Sequence, residues 1–317
     1  MAVGGGSGLA VVLRGLKHLV GTGSLRRLTA VVTVTDDGGS SGRLRRDFGV
    51  LPPGDIRNCI VALADDEDLL ARLFQYRFPN GEGLSGHSFG NLFLTALTGI
   101  TGDFYQAVLT AESILSVRGK ILPATLTDVR LRGRGRSGAV YEGEVAVGHS
   151  GEPLEALELE PAAPVAFEPA VSAIRAADLV LLGPGSLYTS ILPNLMIPGI
   201  RSAIRDSGAP VVLLLNLMTQ PGETDGMDAS AHLEAIERHA GEGLVDAVMV
   251  HDGELPPGPL THYAQTGSRP VVVDRARIEA RGVQILPRDL LAEGSLLRHD
   301  PAKLSGVVLD LMAGTAG

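Results

Sequence analysis

Apolar residues fall into two kinds of run along this chain, and together they predict alternating strands and helices. Between residues 9 and 20, leucine and valine recur every three or four positions, which predicts a helix. Residues 28–35 (LTAVVTVT) are continuously apolar and β-branched, which predicts a buried strand, and residues 2–3 are expected to end an earlier one. Further strands are predicted at 178–182, from Pro210, at 245–251, near 271–273 and at 283–286, and further helices at about 66–77, 88–99, 103–117, 168–176, 228–240 and from about 301.

The order of these elements predicts an α/β fold with a mainly parallel sheet. Strand, glycine-rich loop, helix and strand follow one another, and the strands are too uniformly apolar to face water. Right-handed crossovers then produce a doubly wound, Rossmann-like sheet covered on both faces. Residues 121–167 alternate and are rich in arginine and glycine, so we expect one domain over 1–317 with a small β-rich excursion at about 121–167. Residues 43–54 are predicted to be a loop, after which Asp55 is the expected N-cap of a helix.

Four loops rich in glycine and polar residues directly follow predicted strands. They are residues 4–8, 36–42, 183–186 and 216–226. Loops that follow parallel strands lie at one edge of the sheet, where ligands bind in the crevice. We therefore expect the four loops to converge on a site for a ligand that carries phosphate.

Each loop offers groups with a use in such a site. The glycines let the backbone approach a phosphate, and the next helix adds the positive end of its dipole. Ser186 can cap a helix and donate to an anion. Asp36 and Asp37 suit Mg²⁺ held together with phosphate oxygens, or sugar hydroxyls. Asn216, Thr219 and Gln220 are neutral donors and acceptors that suit a sugar or a base.

Composition narrows the partners and the compartment. The net charge is −9, which disfavours a nucleic-acid partner, and the arginines at 130–136 are interpreted as a solvated hairpin. Cys59 is the one cysteine, so disulfide scaffolds and cysteine metal clusters are excluded and a reducing compartment is favoured. Because no run reaches about 18 apolar residues and the start lacks the features of a signal peptide, we expect no membrane span and a cytoplasmic location.

Several familiar nucleotide and catalytic motifs are absent or misplaced. The dinucleotide pattern G-x-G-x-x-G fails at its third glycine, and the Gly-Lys pair at 119–120 lacks the rest of a P-loop. Residues 86–90 (GHSFG) match the nucleophile elbow of serine hydrolases, but the polar segment 79–85 cannot be the strand that the elbow requires. Instead, Ser88 or Ser85 is expected to cap a helix, while His87 either faces the site or belongs to the cap.

The histidines provide no candidate metal site, and the segment before the last helix provides one candidate anion-binding residue. No pair of histidines has the spacing of metal ligands, and His232 and His239 are interpreted as surface positions on one helix. In residues 298–301 (RHDP), Arg298 can reach an anionic ligand, or the segment simply caps the helix that follows.

Long motifs in the chain resemble the gluconeogenesis factor (YvcK-like) family, within the 2-phospho-L-lactate transferase (CofD)-like proteins. They run from residue 4 to about 310 and include GGGSGL, VTVTDDGGSSGRLRRDF, PPGDIRNCIVAL, GHSFGNL, LGPGSLYTSILPNLMIPGI, NLMTQPGETDG and RHDP. The resemblance implies a cytoplasmic protein that is needed for cell shape during gluconeogenic growth. It also implies binding of UDP-sugars such as UDP-N-acetylglucosamine, without established turnover. Family members carry a few more apolar residues before the first glycines, so the start of the first strand is expected to be shortened here.

Residues and resemblance together define the candidate nucleotide- and phosphate-binding positions. They are Gly4, Gly5, Gly6, Ser7, Gly8, Asp36, Asp37, Gly38, Gly39, Ser40, His87, Asn91, Gly183, Pro184, Gly185, Ser186, Asn216, Thr219 and Arg298. No catalytic or metal-ligating residue is assigned, Mg²⁺ is expected at most together with the nucleotide, and a homo-oligomer is expected. The alternatives are a metal-dependent phosphoester transferase that uses Asp36 or Asp37, and a hydrolase at Ser88.

Overall fold

The centre of the protein is a seven-stranded parallel sheet. The computed structural model describes residues 1–65 and 69–314. Its strands are β1 (Ala2–Gly4), β2 (Thr29–Val32), β3 (Lys120–Pro123), β4 (Arg130–Gly135), β5 (Val140–Glu142), β6 (Leu154–Glu160), β7 (Val180–Leu182), β8 (Val211–Leu214), β9 (Ala247–His251) and β10 (Gln284–Arg288). The central sheet has the order β3-β2-β1-β7-β8-β9-β10, and every neighbouring pair in it is parallel. The predicted doubly wound, Rossmann-like fold is confirmed.

Helices cover both faces of this sheet. They are α1 (Gly6–Gly21), α2 (Gly39–Phe48), α3 (Gly54–Leu63), α4 (Leu69–Gln75), α5 (Phe89–Thr101), α6 (Phe104–Ile114), α7 (Glu144–Gly148), α8 (Glu168–Arg175), α9 (Leu192–Leu195), α10 (Pro198–Ser207), α11 (Ala229–Ala240), α12 (Pro257–Gln265), α13 (Arg275–Glu279) and α14 (Pro301–Gly314), with a π-helical turn at Leu187–Ile191 directly before α9. Part of the helix predicted at 66–77 lies outside the described residues, namely 66–68. In the part of the chain that the structure describes, no helix has the length and apolarity to cross a membrane.

Alternate residues of each central strand enter two separate hydrophobic cores. Val3 and Leu182 pack with α8 to α11, whereas Ala2 and Leu181 pack with α1, α3, α6 and α14. Because successive side chains of a strand point to opposite faces, a strand that is buried on both faces must be continuously apolar. This is the physical reason that the strand sequences lack polar alternation.

The predicted β-rich excursion is a small antiparallel sheet in the order β5-β4-β6. In β4, Arg130, Arg132 and Arg134 are exposed and alternate with buried positions, as the hairpin interpretation required. Arg132 and Arg134 pair with Glu158 and Glu155 of β6 at 3.6 and 3.5 Å. The excursion starts later than expected, because β3 at its predicted beginning is an edge strand of the central sheet.

Two local predictions are wrong. Residues 43–54 are not all loop, because α2 continues to Phe48 and buries Leu44 and Arg45 before Gly49 ends it at φ 65°. The sequence did not predict α2 because most of its residues are polar and only a narrow face of the helix is buried. No strand forms at 271–273, where the structure shows only a single bridge between Met218 and Pro270.

The two histidines of α11 are not surface positions. His232 is only 3% exposed, and its Nδ1 lies 2.8 Å from the Asp228 carbonyl oxygen. The Nε2 atom of His239 accepts a hydrogen bond from the Leu157 amide of β6 at 3.0 Å. The small sheet therefore packs over a helix face that would otherwise meet water.

The strand order reverses its direction between β1 and β7. From β1 the chain moves through α1 to β2 on one side, and from β7 it moves through α9 and α10 to β8 on the other side. The connections that leave the carboxyl ends of two such strands run to opposite faces of the sheet and leave a crevice between them, which is the switch point at which ligands of open α/β sheets bind. The loops 4–8 and 183–186 begin at this point.

Candidate functional site

A cavity of about 700 Å³ opens at the switch point between β1 and β7. Its walls come from three of the four predicted loops and from residues before α14. The predicted site residues that line it are Gly5, Gly6, Ser7, Gly8, Pro184, Gly185, Ser186, Asn216, Thr219 and Arg298. A second cavity of about 840 Å³ lies at the opposite edge of the sheet, next to Arg26 and Pro210 and away from every glycine loop.

The first corner of the cavity is the turn from β1 into α1. Gly6 has a φ angle of 61°, a backbone conformation that residues other than glycine rarely adopt. Gly5, the N-cap residue of α1, has no side chain that could cap the helix, and the first turn contains no acidic residue. The Gly6 amide donates to the carboxyl group of Asp55 in α3. The amides of Ser7 and Gly8 therefore have no intrahelical acceptor and lie at the wall of the cavity with the positive end of the helix dipole.

The second corner of the cavity is the loop 183–186 that follows β7, and it is in direct contact with the first corner. A Cβ atom on Gly8 would overlap the carbonyl group of Pro184 and lie 2.9 Å from the Cα of Gly185. Gly8 is therefore required by the contact between loops, in addition to any approach of a ligand. This contact confirms that loops almost 180 residues apart in sequence meet at one edge of the sheet.

The second corner is already occupied by the carboxyl group of Glu223. Ser186 caps the π-helical turn by accepting from the Thr189 amide at 3.1 Å, and its hydroxyl donates to Glu223. The same carboxylate accepts from the Tyr188 amide at 2.7 Å and is 4% exposed. Burial raises the pKa of Glu223, although hydrogen bonds from Ser186 and two amides oppose the shift. Sequence reasoning placed Ser186 correctly but did not identify its partner, 37 residues away.

Two predicted polar contacts to a sugar or base are used inside the protein. Asn216 pairs with the backbone of Gly185, accepting from its amide at 3.0 Å and donating to its carbonyl at 2.7 Å. The hydroxyl of Thr219 accepts from the Arg269 amide at 3.0 Å. Both residues therefore shape the wall of the cavity by fixing its loops.

The predicted aspartates lie beside the first corner and do not line the cavity. Asp36 accepts a hydrogen bond from the Gly38 amide at 2.9 Å. Both oxygens of Asp37 cap α7, accepting from the amides of Glu144 and Val145 at 3.0 Å each. The Asp37 carboxylate thus connects the second loop to the excursion.

Asp55 is not the N-cap that the sequence predicted. It lies inside α3, whose N-cap is Pro53, and its carboxyl group accepts a hydrogen bond from the Gly6 amide. Burial, followed by the charge of Asp36, raises the pKa of Asp55 to about 7. Glu144 of α7 lines the cavity, and burial, followed by the charges of Asp36 and Asp55, raises its pKa to about 7 as well.

These carboxyl groups fit a divalent cation only in part. Across residues 1–65 and 69–314, no three His, Cys, Asp or Glu side chains are arranged to hold a metal ion. Asp36 and Asp55 are close enough for the charge of one to shift the pKa of the other. Mg²⁺ commonly uses one or two carboxylates and completes its shell with water and phosphate oxygens, so these two residues would suit it only together with a ligand.

Three further predicted residues, Ser40, His87 and Asn91, take part in two buried hydrogen-bonded pairs behind the second loop. Ser40 Oγ lies 2.9 Å from His87 Nδ1, and Asn91 donates to the hydroxyl of Ser41 at 3.2 Å. Neither His87 nor Asn91 lines the cavity, and both are at most 5% exposed. The remaining predicted glycines, Gly4, Gly38, Gly39 and Gly183, lie in the backbone around these loops and not on the cavity wall.

Ser88 has the capping role that the sequence favoured over the hydrolase. Its hydroxyl accepts from the Asn91 amide at 3.2 Å and from Arg57 at 2.6 Å, at the start of α5. The side chain is fully buried and follows a turn instead of a strand. A substrate therefore cannot reach it in the manner of a nucleophile elbow.

Two arginines bring positive charge to the cavity. Arg298 is exposed at its rim, and the neighbouring Asp300 caps α14 by accepting from the amides of Ala302 and Lys303. Arg14 also lines the cavity, and within the described ranges neither guanidinium has a hydrogen-bond or ion-pair partner. Sequence reasoning missed Arg14, although its spacing from Ser7 places both on one face of α1.

Comparison with known proteins agrees with this architecture. The family model described as 2-phospho-L-lactate transferase CofD matches residues 1–291. The "Gluconeogenesis factor" of Halalkalibacterium halodurans is 46% identical, with 97% of this chain and 94% of that protein covered. The "Gluconeogenesis factor" of Bacillus subtilis is 42% identical over 98% of this chain and 96% of that protein.

A solved structure confirms the fold independently. The crystal structure of a Bacillus halodurans protein, 45% identical, superposes with a TM-score of 0.92 over 97% of this chain and 98% of that one. A second structure of the same protein describes it as a member of the UPF0052 family. This chain therefore belongs to the CofD family of proteins and, within that family, to the gluconeogenesis factors.

Proposed function

We propose that the protein is a cytoplasmic UDP-sugar-binding factor that supports cell shape during growth on gluconeogenic carbon sources. The observation that carries this proposal is that the Ser7 and Gly8 amides at the start of α1 line one cavity at the switch point together with Arg14 and Arg298, which are unpaired among the described residues. Amides at a helix N-terminus and guanidinium groups are the usual partners of phosphate oxygens. Two guanidinium groups match the two charges of a diphosphate ester.

The size of the cavity supports a ligand larger than inorganic phosphate. Its volume of about 700 Å³ lies within the range of pockets that bury most of a nucleotide-sized molecule. Tyr263, Gln220 and Ser268 on the remaining wall offer an aromatic ring and neutral polar groups. Such a wall suits the base or the sugar of a nucleotide sugar.

Calorimetric titration with UDP-N-acetylglucosamine tests the proposal. We expect micromolar affinity, about −8 kcal/mol. Replacing Arg298 with alanine should weaken binding by about tenfold or more, because a charge-assisted hydrogen bond is lost. Arg26→Ala is the matched control, since Arg26 is an exposed arginine beside the other cavity. Absence of binding by every UDP-sugar tested would refute the proposed function.

A second candidate function is a metal-dependent phosphoester transferase. It is favoured by the carboxyl groups of Asp36, Asp55 and Glu144 beside the first corner, two of which have a raised pKa. Mg²⁺ bound there with the ligand would neutralise phosphate charge during group transfer. Product formation from an activated phospholactate and a deazaflavin, lost in Asp36→Asn, would establish this activity. No turnover with Mg²⁺ or Mn²⁺ would count against it.

A further inference from the structure

We propose that the ligand's diphosphate binds at only one of the two glycine corners, the first turn of α1, and that Ser190 and Arg14 hold it there. This inference rests on the proposed function, because it assigns the binding groups of the same cavity. The ligand class is a nucleoside diphosphate or its sugar ester. Three independent features of the described residues carry the inference.

The first feature is a hydroxyl group that opens into the cavity and has no hydrogen-bond partner among the described residues. Ser190, in the π-helical turn, is 7% exposed and lines the cavity. Within residues 1–65 and 69–314, its Oγ makes no hydrogen bond. A Cβ built on Gly6 would lie 3.7 Å from this Oγ, and the Ser190 Cβ lies similarly close to the positions of Gly5 and Gly185. The hydroxyl thus faces the first turn of α1 at the point where the two corners meet.

Such a hydroxyl group can bind a ligand without first breaking a hydrogen bond to the protein. A serine hydroxyl donates one hydrogen bond and accepts others, so a phosphate oxygen is a suitable partner. A phosphate oxygen bound by the amides of Ser7 and Gly8 would lie within the same space and supply the missing acceptor. Ser190 therefore has the surroundings of a ligand-binding residue.

The second feature is the placement of Arg14 on the cavity face of α1. Ser7, Ala10, Val11 and Arg14 line the cavity at helical spacing, while the opposite face of the helix is in the core. Arg14 lies eight residues beyond Gly6, about 12 Å along the axis, but side chains lean toward the N-terminus of their helix. The small side chain of Ala10 leaves space for the guanidinium to reach back toward the first turn.

The third feature is the Glu223 side chain, which already occupies the second corner. At the start of the π-helical turn, the Glu223 carboxylate already accepts hydrogen bonds from Ser186 and from the Tyr188 amide. A phosphate at that corner would have to displace this buried carboxyl group from the donors that it already uses. The first turn of α1 also has a carboxyl neighbour, Asp55, but that group accepts from the Gly6 amide and leaves the Ser7 and Gly8 amides on the cavity wall, so the diphosphate has this corner available.

Binding of UDP-N-acetylglucosamine, UDP and uridine to Ser190→Ala and Arg14→Ala variants tests this assignment. We expect each variant to bind UDP and the UDP-sugar about tenfold or more weakly, because a hydrogen bond to a charged group is lost. Uridine binding should not change. Thermal unfolding of Ser190→Ala should occur at the same or a higher temperature than in the wild type, since its hydroxyl has no protein partner. A purely structural role would lower both affinity and stability.

Matched controls and a simpler probe make the result decisive. Ser113→Ala on the exposed side of α6 and Arg26→Ala should bind UDP as the wild type does. If Ser190→Ala and Arg14→Ala both bind UDP within twofold of the wild type, the inference is overturned. If the wild type binds no UDP-sugar, the proposed function fails, and titration with inorganic pyrophosphate still tests the corner. Loss of pyrophosphate binding in both variants then supports the assignment, and unchanged binding overturns it.

Discussion

The contact between the two glycine corners predicts that Gly8→Ala destabilises the protein. Gly8 lies in the first turn of α1, where alanine would ordinarily stabilise a helix by up to about 1 kcal/mol. Here, however, the new Cβ would lie 2.7 Å from the Pro184 carbonyl carbon and 2.9 Å from the Gly185 Cα. Non-bonded carbon atoms prefer about 3.5–4.0 Å, so one backbone must move away from the other.

The expected magnitude follows from the atoms involved. They belong to backbone and cannot rotate away, so the cost should reach the range of about 1–3 kcal/mol that overpacked cores show. Gly99→Ala is the matched control, since Gly99 is also in a helix but has nothing within 4 Å of the new Cβ. That variant should be stabilised by about 0.4–1 kcal/mol. The two substitutions are chemically identical and should have opposite signs.

Urea unfolding followed by far-ultraviolet circular dichroism measures both variants, since the chain has no tryptophan for fluorescence. The midpoint should fall for Gly8→Ala and rise for Gly99→Ala, with unchanged slopes. Binding of UDP-N-acetylglucosamine to Gly8→Ala should also weaken, because separating the corners moves Ser190 away from α1. Equal or greater stability of Gly8→Ala would refute the claim that the two corners are in contact.

Three further predictions follow from the same site. The pKa of Asp55 is raised to about 7, so the native state holds this proton more tightly than the unfolded state does. This contribution to stability is lost as the pH rises from about 4 to 7. The urea midpoint of Asp55→Asn should therefore rise relative to that of the wild type across this pH range. Glu223→Ala should cost about 1–3 kcal/mol by leaving buried donors unpaired, and inorganic phosphate should raise the melting temperature of this variant more than that of the wild type. His239→Leu should remove the acceptor of the Leu157 amide and increase its hydrogen-exchange rate, whereas unchanged protection would show that the bond is not formed.

The central sheet could be predicted because its signals are local. A strand such as β8 is apolar at every position since both of its faces are covered, and the helix of α1 shows its period within two turns. Chain order then places the loops 4–8 and 183–186 at one edge, because all the strands run in the same direction. The polar helix α2 escaped prediction because its buried face is only a few residues wide.

The roles of individual polar residues depended on partners that are distant in sequence. From the sequence, Asp37 is a candidate metal ligand, whereas in the structure its two oxygens accept hydrogen bonds from the amides of Glu144 and Val145, more than 100 residues later. From the sequence, Asp55 is predicted to cap a helix, whereas in the structure its carboxyl group accepts from the Gly6 amide of the first glycine loop.

Residue order thus established which groups gather at the edge of the sheet, since secondary structure and strand direction follow from neighbouring residues. Only the tertiary structure decided which of those groups are available to a ligand, because a group that already has a hydrogen-bond partner in the protein is not free to bind one. Glu223 occupies one corner in this way, whereas Ser190 and Arg14 remain unpaired among the described residues.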